Sequence, residues 1–380
     1  MILEITSVAF NENHFGGGES YPWRIFKALS KKTDVLYCVS SSLGKMPEHD
    51  GTELIDAHFL NLPPFLNTHN PLPKFAGLKK MKAILTRNDI DIVHLHNLRT
   101  VSTALWLFIS KLNNRGKYKV ILSDHGARLL PFPGLLTRFV DYYAPVSSFS
   151  AKVLNSYHKK PTFLIPPIIP AEFFREAQGE KKDIDLLIYG RIAPWKRQDL
   201  ALKVVEELVK SGNGSIKAVI AGGSVNRDYM DYLSRFVSKR CLSNNVKFCL
   251  NVSDEEAKEL LARSKLLLAL SWTSDMYGHV YRLPELSSAT ILEAAAMGVP
   301  TIASAIEAFR EVVADGESGY LVNPENTALI VSKVRELLLN SEETKNLGII
   351  ARNLCFANNS EGAVSQKLID FFDLIRSGKI

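Results

Sequence analysis

Short apolar runs alternate with amphipathic stretches along nearly the whole chain. In the first half, strand-like runs fall at 2–10, 34–39, 92–95, 119–123 and 143–146, and helical spacing falls at 20–29, 79–85 and 102–112. In the second half, strand-like runs fall at 185–189, 217–221, 246–250, 266–270 and 300–303, and helical spacing falls at 199–210, 229–239, 255–263 and 290–297. Strands that alternate with helices predict parallel sheets covered on both faces, so we expect an α/β fold in each half.

The break between the halves is marked by prolines and charges. Residues 166–170 contain three prolines, and a charged run follows them, a composition that disfavours helix and favours solvent. We predict a doubly wound N-terminal domain over 1–165, a hinge over 166–182 and a doubly wound C-terminal domain over 183–357. The helical pattern within 358–380 is expected to cross back onto the first domain. Two such domains facing each other across a cleft would line it with the carboxyl ends of their strands, where ligands bind.

Composition agrees with this picture and narrows the function. A length of 380 residues exceeds the usual size of one domain. No apolar stretch is long enough to span a membrane and the N-terminus lacks a signal-peptide pattern, so a cytoplasmic location is expected. The four cysteines are scattered and no histidine stands at metal-ligand spacing. Neither disulfides nor a metal site is therefore predicted.

The positive charge is concentrated in the first half. Residues 1–170 carry 20 Lys and Arg against 12 Asp and Glu (+8), whereas residues 171–380 carry 26 against 28 (−2). A basic half suits an anionic membrane surface or an acidic substrate, and the segment 74–85 is basic with apolar residues at helical spacing. A solvated helix face is the commoner meaning of such a run, and the alternative is a peripheral contact with anionic lipid, for which we predict weak, salt-sensitive binding by the first domain. No nucleic-acid partner is predicted, because no zinc finger or RNA-binding aromatic motif is present.

A glycine-rich turn follows the first predicted strand. Gly17 and Glu19 stand where a helical pattern begins. Glycines let backbone N–H groups approach a ligand, and a helix N-terminus favours a phosphate. A tight turn between strand and helix is the alternative interpretation.

Two cations follow the first strand of the second half. Gly190, Arg191 and Lys196 lie between that strand and the next helix. A guanidinium fork and an ammonium point charge at the carboxyl end of a strand can hold a diphosphate. An ordinary charged surface loop is the alternative.

Two carboxylates stand eight residues apart in the segment 284–300. Glu285 precedes a helical pattern and Glu293 lies within it among small and apolar residues. Ionised carboxylates accept hydrogen bonds from sugar hydroxyls, so one carboxylate can hold a ribose and the other a hexose. A glutamate that only stabilises a core helix is the alternative.

In order and spacing, these positions resemble those of the retaining glycosyltransferases of family four, which have the GT-B fold. The resemblance covers nearly the whole chain. It also includes Asp91-Ile92-Val93-His94-Leu95-His96, Ser123-Asp124-His125-Gly126, Phe163-Leu164-Ile165-Pro166, Ala221-Gly222-Gly223 and the stretch from Asp315-Gly316 to Gly319-Tyr320-Leu321-Val322. It implies transfer of a sugar from a UDP- or GDP-linked donor to a glycan or lipid-linked acceptor, with retention at the anomeric carbon and with neither a metal ion nor another cofactor.

The resemblance also implies roles for particular residues. Arg191 and Lys196 hold the donor diphosphate, Glu285 contacts the transferred sugar and Glu293 contacts the ribose. His125 reaches the transferred sugar and stabilises the transition state. The remaining donor-binding positions implied are Gly17, Glu19, Gly190, Gly222 and Ile291. For the two histidines that precede His125, His94 and His96, we expect one to face the core and the other the cleft.

The chain departs from the family pattern in three places. Leu286-Ser287-Ser288-Ala289 replaces the usual Gly-Phe-Gly-Leu, and Glu307 stands where a glycine is expected, so a third carboxylate is expected in the donor pocket. Residues 272–284 form an insertion that is either a lid with Asp275, Tyr277, His279 and Arg282 selecting a sugar, or a surface loop. A sugar-nucleotide epimerase and a non-catalytic nucleotide-sugar or glycan-binding protein are the alternative functions.

Overall fold

The computed structural model describes residues 1–6, 17–39, 54–56, 83–84, 90–96, 117–125, 134, 137–174 and 181–380. The chain divides into two compact units. Unit 1 comprises Met1–Ile168 and Glu361–Ile380, and unit 2 comprises Ile169–Ser360. Each unit contains a parallel six-stranded sheet, and the prediction of two parallel α/β domains is therefore confirmed.

Unit 1 is built on a sheet whose strands are β1 (Ile2–Thr6), β2 (Val35–Val39), β3 (Leu54–Asp56), β4 (Ile92–His96), β5 (Lys119–Ser123) and β6 (Tyr142–Tyr143). The strand order is β3-β2-β1-β4-β5-β6, and every pairing is parallel. Helix α1 (Gly17–Ser30) follows β1, and helix α2 (Ser148–Tyr157) follows β6. The first and fourth strands are thus neighbours at the centre of the sheet, which is the point where the strand order reverses.

The two faces of this sheet differ in chemistry. One face is apolar and forms the core of the unit with Leu3, Ile5, Val93, Leu95, Val120 and Leu122. Side chains alternate between faces along a strand, so the residues between these positions project to the other side. That other face carries the polar residues Glu4, His94, His96 and Ser123, all completely buried.

Unit 2 repeats the same topology. Its strands are β7 (Ile184–Tyr189), β8 (Ala218–Gly222), β9 (Val246–Leu250), β10 (Ser264–Ala269), β11 (Thr301–Ser304) and β12 (Gly319–Val322), in the order β12-β11-β10-β7-β8-β9. Its helices are α3 (Gln198–Lys210), α4 (Arg227–Lys239), α5 (Asp254–Ala262), α6 (Ala289–Ala296), α7 (Glu307–Arg310), α8 (Thr327–Leu339) and α9 (Ser341–Asn359). The first and fourth strands, β7 and β10, are again central neighbours.

Polar side chains fix where several of these helices begin. Asn226 caps α4 by accepting from the Tyr229 N–H, and Ser253 and Glu256 form a reciprocal capping box on α5. Ser288 caps α6 by accepting from the Ile291 N–H. Each cap satisfies a backbone donor that the helix itself cannot.

The last helix, α10 (Glu361–Arg376), packs on unit 1. Arg376 forms a bidentate contact with Asp91, and the Phe371 ring stacks on Phe163 with centroids 4.9 Å apart. Lys31, directly after α1, pairs with Glu361 at the start of α10. The end of the chain is thereby part of the first unit's structure.

Several elements differ from the sequence-based expectation. The strand expected at 143–146 is Tyr142–Tyr143, and β3, β12, α2, α7, α8 and α9 were not predicted. The predicted helix at 102–112 and most of the one at 79–85 lie outside the described residues, as does most of the basic segment 74–85. None of the helices in the described part of the chain has the length and apolar character needed to cross a membrane.

Candidate functional site

The ends of β7 and β8 in unit 2 approach each other closely. The Gly190 N–H donates to the Ala221 carbonyl at 3.0 Å. Gly222 has φ +139°, and a Cβ at this position would lie 2.0 Å from the Gly190 carbonyl oxygen. Only glycine satisfies both conditions at position 222, so this predicted donor-binding position needs glycine for the local backbone path.

The loop after β7 places a cation against a carboxylate. A short 3-10 helix, Pro194–Lys196, carries Lys196, whose Nζ lies 2.6 Å from Glu285 Oε1. The Ser271 hydroxyl donates to the same oxygen at 3.0 Å. The two charged side chains are only 15% and 11% exposed. Residues that follow the first and fourth strands of the sheet thus meet where ligands bind in such folds.

The other two predicted charges, Arg191 and Glu293, have different neighbours. Arg191 is exposed, and its guanidinium lies 5.7 Å from the centre of the Trp195 ring. Glu293 is buried in the middle of α6. Burial, and after it the Glu293 charge, raise the pKa of Cys355 to about 12, which locates Glu293 near that thiol. The structure therefore joins Lys196 to Glu285 directly, sets Arg191 against Trp195 and sets Glu293 near Cys355.

Two further predicted positions contribute differently. Ile291 is buried in unit 2, and its N–H is used by the Ser288 cap. Glu307, expected as a third carboxylate in the donor pocket, begins α7 and is exposed. Ser288, which stands where this chain departs from the family pattern, caps helix α6.

A buried ionic network that was not predicted from the sequence supports the loop that carries Lys196. Arg197 has a left-handed backbone with φ 55° and contacts both carboxylate oxygens of Asp199 at 3.1 and 3.2 Å. The Tyr229 hydroxyl donates to Asp199 at 3.0 Å, and Arg197 also donates to the Ser274 carbonyl at 3.0 Å. Burial, followed by the Asp199 charge, raises the pKa of Tyr229. The network holds the residue next to Lys196 in place.

The insertion 272–284 folds around a buried aspartate. Asp275 accepts from the backbone N–H of Tyr277 and His279 at 2.8 and 3.0 Å, and from the Tyr281 hydroxyl at 2.6 Å. Burial opposes ionisation, but the hydrogen bonds from Tyr281 and His279 lower the pKa of Asp275. Of the four residues considered for sugar selection, Asp275 is thus used inside the loop, whereas Tyr277, His279 and Arg282 are exposed.

The insertion is also anchored to the loop that carries Lys196. The Trp272 N–H donates to the Trp195 carbonyl at 2.9 Å, and the Tyr281 ring lies 5.7 Å from the Trp195 ring. Ser274 and Val280 form an antiparallel bridge across the turn. The inserted residues are therefore a hairpin-like turn attached to the segment that carries Lys196.

In unit 1, three histidines and a glutamate form one cluster. Glu4 Oε1 lies 3.0 Å from His94 Nδ1, and Glu4 Oε2 lies 2.5 Å from His96 Nε2. His96 Nδ1 lies 2.9 Å from His125 Nε2, and His94 Nε2 lies 2.8 Å from Ser123 Oγ. The expectation that His94 and His96 face opposite sides is wrong, because residues two apart on a strand share a face.

Glu4, His94 and His96 are also the acidic and histidine side chains in the described parts of the chain that come close enough to share a metal ion, with ligand atoms within 4.8 Å of one another. The ring nitrogens and carboxylate oxygens that would serve as ligands are already engaged in the short contacts of the cluster. We therefore interpret the cluster as a hydrogen-bond network. The sequence did not predict it because Glu4 is ninety residues from His94.

The glycine-rich turn is described only from its end. Helix α1 begins at Gly17, which puts Glu19 in the first turn, and residues 7–16 lie outside the described part of the chain. Their predicted contacts with a donor stay predictions.

Comparison with known proteins matches both units of the chain to known families. The model of the family "Glycosyltransferase Family 4" matches residues 15–173, and the model "Glycosyl transferases group 1" matches residues 170–354. N-acetyl-alpha-D-glucosaminyl L-malate synthase of Bacillus anthracis is 26% identical over 79% of this chain and 79% of its own length. A GDP-mannose-dependent alpha-(1-6)-phosphatidylinositol monomannoside mannosyltransferase of Mycolicibacterium smegmatis is 23% identical over 76% of this chain and 77% of its own.

Solved structures share the fold. HepE from Anabaena, crystallised with UDP and glucose, superposes with a TM-score of 0.73 at 15% identity, covering 98% of this chain and 99% of its own. Two parallel-sheet units of this topology are the GT-B fold, and the family models and curated relatives show that the chain is a glycosyltransferase. Within that class, the two family models, which meet near the boundary between the units, assign the chain to the family-4 type.

Proposed function

We propose that the protein is a retaining glycosyltransferase that moves a sugar from a UDP- or GDP-linked donor to a glycan or lipid-linked acceptor without a metal ion. The observation that carries the proposal is the contact of Lys196 with Glu285 beside Ser271, at the carboxyl ends of the central strands of unit 2. A cation and a carboxylate side by side match the two parts of a nucleotide sugar, a charged diphosphate and a neutral hexose with hydroxyls.

The proposed residue roles follow from the charge that develops during the reaction. Negative charge builds on the departing diphosphate, which Lys196 and Arg191 bind, while the anomeric carbon becomes oxocarbenium-like. Glu285 accepts from the transferred sugar, Glu293 accepts from the ribose, and His125 contacts the sugar. Cations already fixed by the fold stabilise the transition state more than the ground state, so they contribute to turnover as well as to binding.

The donor base and the acceptor are proposed from relatives. One relative is named as a GDP-mannose-dependent phosphatidylinositol monomannoside mannosyltransferase, and the structural neighbour HepE was crystallised with UDP and glucose. These names support a nucleoside diphosphate sugar as donor and a glycan or lipid-linked acceptor. We further propose a cytoplasmic enzyme whose basic first half makes a peripheral contact with anionic membrane.

The test is a donor panel. The protein is incubated with UDP-, GDP- and ADP-sugars and with glycan or lipid-linked acceptors in the presence of EDTA, and the product anomer is assigned by NMR. We expect nucleoside diphosphate release that depends on acceptor, and a product with the donor's anomeric configuration. A changed donor sugar without acceptor would indicate an epimerase, and tight donor binding without turnover would indicate a binding protein.

A pair of lysine variants makes the test specific to the site. Lys196→Ala is expected to lower kcat/KM by about 100- to 1,000-fold, as for removal of one preorganised charge donor. Lys210→Ala removes an exposed lysine of α3 that pairs with Glu206 and Glu207 and is expected to leave activity unchanged. Equal activity of the two variants would refute the assignment of Lys196 to the donor site.

A further inference from the structure

A buried chain of hydrogen bonds leads through unit 1 to His125. It begins at Ser123 and passes through His94, Glu4 and His96 before it reaches the His125 ring. All members before His125 are completely buried. None of these buried titratable groups has a part in the proposed reaction.

Helices on this face of the sheet cover the hydrogen-bonded side chains. The Tyr21 ring on α1 lies 3.9 Å from the His125 ring, and the Phe372 ring on α10 lies 6.3 Å from His94. The Tyr21 hydroxyl donates to the Ile165 carbonyl at 2.8 Å, which fixes the tyrosine itself. The returning C-terminal helix therefore helps to exclude water from the cluster.

The contacts of Ser123, at the inner end, determine which atoms donate and which accept along these hydrogen bonds. The Ser123 hydroxyl has one proton and donates it to the Ala144 carbonyl at 2.5 Å. Ser123 Oγ can then only accept from His94, at 2.8 Å. His94 Nε2 therefore carries a proton.

Glu4 determines which atoms donate in the next two hydrogen bonds. Burial opposes its ionisation, but His94 and, after it, His96 outweigh burial and lower the pKa of Glu4 to about 2. An ionised carboxylate only accepts, so His94 Nδ1 and His96 Nε2 both donate to it. His94 is then protonated on both nitrogens, and its charge compensates the buried carboxylate.

The position of the proton on His96 determines which ring donates in its contact with His125. Burial, and next the charge of His94, lower the pKa of His96 to about 4, so the ring is neutral at pH 7. With its proton on Nε2 facing Glu4, the His96 Nδ1 atom is an acceptor. The His125 Nε2 atom, 2.9 Å away, must therefore donate.

We propose that Glu4, His94 and His96 are positioning residues that hold the His125 proton on Nε2 and so make His125 Nδ1 a hydrogen-bond acceptor. An acceptor at Nδ1 suits a sugar hydroxyl, which can donate to it. The sugar as ligand rests on the proposed function, whereas the proton arrangement rests on the geometry of unit 1 alone.

The proton arrangement is tested by NMR of the full chain labelled with ¹⁵N-histidine, at pH 7.5 and without substrate. His125 signals are assigned by their loss in His125→Gln. We expect His125 protonated on Nε2 and not on Nδ1, and His94 protonated on both nitrogens. A wild-type His125 protonated on Nδ1, or on both nitrogens, would overturn the proposal even if the His96 variants failed to fold.

Two substitutions at His96 separate positioning from packing. His96→Asn keeps an acceptor oxygen near the Nδ1 position and is expected to preserve the Nε2 proton of His125, whereas His96→Phe removes the acceptor and is expected to release it. His158→Phe is the matched control, because it removes a different histidine of unit 1, which contacts Thr137 at 2.9 Å. It should leave the His125 signals unchanged.

Kinetics connect the arrangement to sugar transfer. His96→Phe is expected to lower kcat by up to about 100-fold through misplacement of His125, with little change in the donor KM, and His96→Asn is expected to restore most of the loss. Unchanged kcat in His96→Phe would overturn the proposal, as would one equivalent of divalent metal in the purified protein that depends on Glu4. The expected NMR signals without transfer from any donor would refute the proposed function and leave the positioning network supported.

Discussion

The ion pair in unit 2 makes a prediction in which binding and turnover change in opposite directions. Lys196 Nζ and Glu285 Oε1 lie 2.6 Å apart, and both side chains are more than four-fifths shielded from solvent. If Lys196 holds the donor diphosphate, the nucleotide must take the ammonium group away from Glu285. Glu285→Gln keeps the shape of the side chain but weakens its hold on Lys196. The variant should therefore bind nucleoside diphosphate more tightly and transfer sugar more slowly.

The structure sets the size of the binding effect. A hydrogen bond to a charged group contributes about 1.5–3 kcal/mol, and little of this is lost to solvent screening at this degree of burial. Relief of that competition corresponds to a roughly 10- to 100-fold lower Kd for UDP or GDP, since each 1.4 kcal/mol is about tenfold. Loss of the carboxylate at the reacting sugar is expected to lower kcat by about 100-fold.

Isothermal titration calorimetry with UDP and GDP measures the first effect, and acceptor-dependent nucleotide release measures the second. Glu207→Gln is the matched control, because it makes the same change in an exposed pair with Lys210 on α3. That control should alter neither quantity. Weaker or unchanged nucleotide affinity in a folded Glu285→Gln protein would refute the exchange of partners by Lys196.

Two other predictions concern stability. His96 has a pKa lowered from 6.5 to about 4 and Glu4 from 4.5 to about 2, so in both windows the unfolded chain binds more protons than the folded one. The stabilisation that these two groups contribute is therefore complete above about pH 6.5 and falls on acidification at up to about 1.4 kcal/mol per pH unit per group. His96 contributes to this loss between about pH 6.5 and 4, and Glu4 contributes between about pH 4.5 and 2. Urea unfolding at a series of pH values measures this slope, His96→Phe should remove its first stage, and a flat profile from pH 7.5 to 5 would contradict it. Gly222→Ala should destabilise unit 2 by roughly 1–3 kcal/mol, because strain at positive φ adds to the collision with the Gly190 carbonyl. Gly212→Ala, at φ +99° with open space around it, isolates the strain alone, and equal melting temperatures for the two variants would show that the collision is relieved.

Periodicity predicted the parts of the fold whose burial is regular. Strands buried on both faces, such as β4, are continuous apolar runs interrupted only by the histidines, and such runs are visible in sequence. Strand β12 was missed because it has four residues and begins at Gly319, which usually indicates a turn. A Cβ at Gly319 would lie 2.3 Å from the Thr301 carbonyl oxygen, so close strand packing requires the glycine there.

The site was predictable only where the residues that carry its chemistry belong to a local sequence motif. Lys196 and Glu285 were predicted from local motifs, and the structure brings them together. The network of Arg197, Asp199 and Tyr229 was not, because its members meet through the fold of two helices and a loop. Such contacts between distant segments leave no periodic signal along the chain.

Both units place polar side chains at the same point of the same topology, yet they use it differently. In unit 2, Lys196 and Ser271 follow the central strands β7 and β10, so their contacts with Glu285 lie in loops beyond the sheet. In unit 1, Glu4 and His94 are register partners within the central strands β1 and β4, so their network is buried in the sheet. Side chains on loops can exchange one ion partner for another when a ligand binds, whereas side chains held within strands cannot. Unit 2 therefore has the geometry to bind and release a charged donor, and unit 1 has the geometry to hold one histidine in a fixed protonation state.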